Sequence, residues 1–104
     1  MINEVYQDFE SMSLKMEKIV KAGELDRTIL KVVEESMELN EVLVKTITKR
    51  QDLKPPVEKI IEEMGDLSFR MNVLALKLGI MREVKQRERE KFEQVSQWVA
   101  ENKK

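Results

Sequence analysis

The sequence predicts an all-α fold, a four-helix bundle-like arrangement assembled through an oligomer interface. Apolar residues recur at three- and four-residue spacing along nearly the whole chain. Composition points the same way: 38% of residues are charged, and only 3 glycines and 2 prolines interrupt 104 residues. No segment alternates apolar and polar residues as a half-buried strand would.

The first helix is expected from about Asn3 to Ala22, where Val5, Phe9, Met12, Met16, Ile19 and Val20 share a face and Gly23 stops it. A second helix is expected from about Leu25 to Lys49. Its apolar arc, from Ile29 through Val33 and Met37 to Ile47, covers roughly half the circumference, wider than the ~100° that one core requires. A wide arc implies more than one packing neighbour, a second subunit among them. Gln51 to Lys54 reads as the loop, closed by Pro55 and Pro56, because proline suits a first helical turn. The third helix then runs from about Pro56 to Leu78. Val57, Ile60, Ile61, Met64, Leu67, Met71, Leu74, Ala75 and Leu78 are its inward positions, and Gly79 ends it. The last helix, roughly Arg82 to Ala100, is charged, with Val84, Phe92, Val95, Trp98 and Val99 as sparse apolar positions. Residues 1–104 read as one domain.

Composition also excludes chemistry. There is no cysteine and no histidine. Thiolate chemistry, a Ser-His-Asp triad and a His- or Cys-bound zinc are therefore ruled out. A net charge of -1 gives no reason to expect nucleic acid or an anionic membrane as partner. No apolar run suits a signal peptide or a membrane span, so a cytoplasmic location is expected.

Two acidic clusters stand out: Glu34, Glu35 and Glu38 on the second helix, and Glu62, Glu63 and Asp66 on the third. On a wheel of 100° per residue, Glu35 and Glu63 border the apolar arcs, with Glu38 and Asp66 one step further round. Antiparallel pairing of the helices would bring these edges together. Two carboxylates about 5 Å apart repel by roughly 3 kcal/mol at an effective dielectric of 20. Such a group must splay, take up a proton or share a cation. Oxygen-only ligands favour Mg²⁺, with Mn²⁺ as the alternative. A solvated ion-paired face is the competing reading, since Lys31 lies four before Glu35, Lys59 four before Glu63, and Arg70 four after Asp66. Gly65 sits inside the second cluster and costs a helix about 1 kcal/mol relative to alanine. A close helix approach, or space beside a ligand, would explain it.

The stretches from Lys31 to Leu39 (KVVEESMEL) and from Ile61 to Leu67 (IEEMGDL) resemble the paired motif of the MazG-type all-α nucleoside triphosphate pyrophosphohydrolases, E-E-x-x-E followed by E-x-x-D. Leu76 to Ile80 and the charged stretch from Val84 to Phe92 are similar to the family's downstream region. The resemblance implies Mg²⁺-dependent hydrolysis of a nucleoside triphosphate to the monophosphate and pyrophosphate. It implies Glu35, Glu38, Glu63 and Asp66 as metal ligands, and Glu34 or Glu38 as the group that takes the proton from the attacking water. It also implies a homodimer or homotetramer. For the substrate, Arg70, Asn72, Lys77, Arg87 and Lys91 are candidates, with Arg82, Lys85 and Arg89 beside them. Deoxyuridine or deoxycytidine nucleotides and phosphoribosyl-ATP are alternative substrates within the same superfamily. A non-catalytic helical interaction module is the alternative of a different class. Tyr6, Phe9, Phe69 and Trp98 are the aromatics available to stack on a base, with Phe9 better suited to the core. The 7 methionines read as flexible core filler.

Overall fold

The computed structural model describes residues 2–49 and 54–102, with side chains from residue 12 onward. The chain is all-helical there, in four elements: α1 (Ile2–Ala22), α2 (Leu25–Thr48), α3 (Val57–Leu78) and α4 (Met81–Asn102). Each lies within two residues of its expected span. The expected loop residues Gln51 to Leu53, and the side chains of Val5, Tyr6 and Phe9, lie outside the described residues.

Local chemistry sets the helix ends. Asp26 in the first turn of α2 complements the helix dipole, and Thr28 turns back to donate its hydroxyl to the Glu24 carbonyl at 2.9 Å. Pro56 precedes α3, where its missing N–H costs nothing, and its carbonyl accepts from Ile60 at 3.0 Å. Gly79 closes α3 in the left-handed region at φ 68°. Its amide donates to Leu76 at 3.2 Å and that of Ile80 to Ala75 at 2.9 Å, a double bond pattern that satisfies the last carbonyls and turns the chain into α4.

The central unit is the α2–α3 hairpin. α1 and α4 each pack on α3. Along the hairpin, Val32, Leu39 and Val42 of α2 and Ile60, Leu67 and Leu74 of α3 are half-buried. Among the described residues the buried apolar side chains are Val73 and Ala75 alone.

This corrects the expected inward faces. On α3, Val57, Ile61, Met64, Met71 and Leu78 are exposed, and on α2 Ile29, Leu30, Val33, Met37, Leu43, Val44 and Ile47 are exposed as well. The hairpin partner covers only one seam of each helix, so the rest of each wide arc stays uncovered within the protomer. Met12 and Ile19 of α1 are also exposed.

Candidate metal centre and its surroundings

The acidic site is built on the facing edges of α2 and α3. Glu35, Glu63 and Asp66 each offer a carboxylate oxygen, and these three oxygens lie within 4.8 Å of one another. Glu63 is buried at 4% exposure, Glu35 is half-buried and Asp66 is exposed. The group is therefore open on one side and walled on the other.

Two of its atoms carry information. Glu35 Oε2 and Glu63 Oε2 are both buried, and neither has a hydrogen-bond partner. Buried carboxylate oxygens are normally satisfied, because leaving one unpaired forfeits its hydration without return. A cation shared by Glu35, Glu63 and Asp66 would meet both oxygens at once. All donors are oxygen, so the group could hold a hard metal ion.

Glu38 adds its charge from one turn further along α2. Its carboxyl is pushed above the ordinary glutamate range, chiefly by the negative charge of Glu35 and next by that of Glu63. Glu34, further round α2, lines an open surface pocket with Met37, Glu38, Asn40 and Glu41.

The anticipated ion pairs divide. Lys59 reaches Glu63 at 3.0 Å, as its spacing implied, and also approaches Glu62 at 3.7 Å. Its ammonium is held above the usual lysine range, first by the hydrogen bond to Glu63 and then by the charges of Glu62 and Glu63. Lys31 pairs with Glu34 at 3.2 Å instead of Glu35. Among the described residues, Arg70 forms no ion pair with Asp66. Its guanidinium lies over the Phe69 ring, 5.4 Å from the centroid.

The candidate substrate residues scatter. Lys77 donates to the Val20 carbonyl at 3.0 Å and ties α1 to α3. Arg70 lines a small cavity of about 100 Å³ with Ile19, Arg27, Thr28, Lys31 and Val73. Asn72 lies in a groove of about 470 Å³ lined by α2, α3 and α4, with Val32, Leu39, Leu67, Met71 and Lys85. Arg87 pairs with Glu90 at 3.4 Å on the exposed face of α4, and Lys91 is exposed there. Among the described residues α4 makes its helix contacts with α3, and Arg87 and Lys91 are not brought to the acidic group.

The cation that does touch the acidic group is Lys59, which the sequence offers only as an ion-pair partner. Lys59 contacts Glu63 directly, and with Lys45, Lys49 and Lys54 it rims a cavity of about 300 Å³ near the α2–α3 turn, floored by Val42 and Pro56. For Lys59 the signal is its place one helical turn before Glu63; Lys45, Lys49 and Lys54 have no such spacing to the acidic group.

Gly65 has no atom within 4 Å of where a Cβ would stand. A close helix approach is thus not its explanation within the protomer, and the space beside it is open.

Compared with protein-family models, with curated proteins and with solved structures, the chain matches none.

Proposed function

We propose that this chain is a Mg²⁺-dependent nucleoside triphosphate pyrophosphohydrolase of the MazG type. It would release the monophosphate and pyrophosphate from an NTP or dNTP. The observation that carries the reading is the convergence of Glu35, Glu63 and Asp66 from two helices, with two buried carboxylate oxygens left unpartnered.

Glu35, Glu63 and Asp66, joined by Glu38, would hold Mg²⁺, or Mn²⁺ in its place. The bound ion would supply charge neutralisation for the phosphates and a more acidic water. The chain's own residues do the remainder. Glu38, one turn beyond Glu35, would be the carboxylate that takes the proton from the attacking water. Lys59 holds Glu63 in place through their 3.0 Å contact and presents an ammonium beside the site for a phosphate oxygen. Glu34, held by Lys31, can orient a water at the rim. The open space at Gly65 leaves room for a bound nucleotide.

The test is product analysis with a panel of NTPs and dNTPs in Mg²⁺. Monophosphate and pyrophosphate are expected; a diphosphate with orthophosphate would contradict the assigned bond. Glu38→Gln and Asp66→Asn should each lower turnover by about 10²-fold or more while the circular dichroism spectrum stays helical. A non-catalytic helical module draws support from the exposed apolar side chains of α2 and α3. On that reading the panel yields no product, and both substitutions are silent or mildly stabilising.

A further inference from the structure

The acidic edge of the hairpin continues into a basic one. On α2, Glu35, Glu38, Val42, Lys45 and Lys49 follow at three- and four-residue steps, which keeps them on one face. On α3, Lys59, Glu63 and Asp66 do the same. The acids occupy the middle of this edge. The lysines occupy its end at the α2–α3 turn, where Lys54 joins them around the cavity of about 300 Å³.

Four ammonium groups thus rim one cavity, and among the described residues no carboxylate lines it. The concentration is local, since the chain as a whole carries a net charge of -1. Like charges gathered at one place repel, and a multiply charged anion among them removes the repulsion. Lys45 meets Glu41 at 2.8 Å, but both side chains are exposed, and such a pair yields readily. Among the described residues Lys49 and Lys54 form no ion pair.

The rest of the lining selects the kind of anion. Val42 and Pro56 make an apolar floor, beside which the attraction between opposite charges is stronger than in open water. Thr46 already donates its hydroxyl to the Val42 carbonyl at 2.8 Å. The donors left to a ligand are ammoniums, point charges that suit a compact anion of high charge. The volume is at the small end of ligand pockets, enough for linked phosphates.

We propose that this cavity binds an oligophosphate anion, free or carried by a nucleotide, and that Lys59 couples it to the acidic centre. Lys59 is the side chain common to both: it reaches Glu63 at 3.0 Å and rims the cavity. An anion in the cavity competes with Glu63 for that ammonium. Neutralising Glu63 releases the ammonium to the anion, so positive charge at the acids and an anion at the lysines favour each other. The binding does not depend on the hydrolase reading, because it requires no turnover.

Calorimetric titration of the metal-free chain with inorganic pyrophosphate, in EDTA at fixed ionic strength, tests the proposal. Saturable binding of a single pyrophosphate by each chain is expected. Lys49→Met combined with Lys54→Met should weaken it about tenfold or more. Lys15→Met combined with Lys18→Met, an equal change of charge at exposed positions of α1, should leave it nearly unchanged. Glu63→Gln, with its helical spectrum intact, should tighten binding about fivefold, more than Asp66→Asn does, and the gain should vanish in a Lys59→Met background. A non-hydrolysable NTP analogue held more tightly than pyrophosphate by the same lysines identifies a nucleotide as the source; equal binding identifies free oligophosphate. Absence of saturable binding, or equal weakening by the α1 pair, would overturn the site. A Glu63→Gln gain that survives in Lys59→Met would overturn the coupling. Pyrophosphate bound through these lysines by a chain that turns over no nucleotide would leave the proposal standing and remove the hydrolase.

Discussion

Glu38 sits where the electrostatics of the site can be measured one side chain at a time. Its carboxyl titrates above the ordinary glutamate range because Glu35 and then Glu63 repel its charge. In the window between its unfolded and folded values, the folded metal-free protein binds more protons than the unfolded chain. Glu38's contribution to stability therefore falls as pH rises through that window and is constant above it. Urea unfolding of the metal-free protein across that range should show the decline, and Glu38→Gln should flatten it. Gly65 gives a second residue-scale prediction. A methyl group there meets no atom within 4 Å, so Gly65→Ala should stabilise the metal-free chain by about 1 kcal/mol. Calorimetry would read this as a higher Tm, and a lower Tm would mean that another copy or a ligand already fills the space. At this scale the convergence of Glu35, Glu63 and Asp66 was legible, because two matched acid pairs at the apolar edges of adjacent helices meet when those edges pack. The sequence located the cations poorly. Lys31 had Glu34 and Glu35 within reach, and helical spacing alone did not choose between i+3 and i+4 partners.

Among the elements, the helix spans were legible because glycine and proline punctuate a continuous apolar period. Gly79 illustrates the physical cause. Its φ of 68° is open to glycine and strained for other residues by roughly 1–2 kcal/mol. Gly79→Ala should lower stability by about that amount in a denaturant melt and loosen the entry to α4. Lys77 behaves differently from its expected role. It bonds the Val20 carbonyl near the C-terminus of α1, where a cation also complements the helix dipole. Lys77→Met should speed hydrogen exchange in the last turn of α1 and leave the α2–α3 pairing unchanged. What the sequence could not reveal was which half of each wide arc faces the hairpin partner. Two apolar seams side by side on α2 look alike on a wheel. Only packing separates Val32 and Leu39, which meet α3, from Val33 and Met37, which do not.

For the molecule as a whole, the two sides of the hairpin differ in character. One edge brings Glu35, Glu63 and Asp66 together with Glu38 beside them, while Leu30, Val33, Met37 and Ile47 of α2 stay exposed. A radius of gyration of 17.9 Å exceeds the ~13 Å of a compact chain of this length, in keeping with helices that lack their full set of neighbours. Among the described residues no helix is long and apolar enough to cross a membrane. The central functional claim remains that the facing edges of α2 and α3 hold a divalent cation for phosphate chemistry. Thermal unfolding during a Mg²⁺ titration tests it most directly. Saturation at 100 times the dissociation constant should add about 2.7 kcal/mol of stability, and Asp66→Asn should abolish most of that gain. A melting curve that Mg²⁺ leaves unmoved, or a gain that persists undiminished in Asp66→Asn, would contradict it.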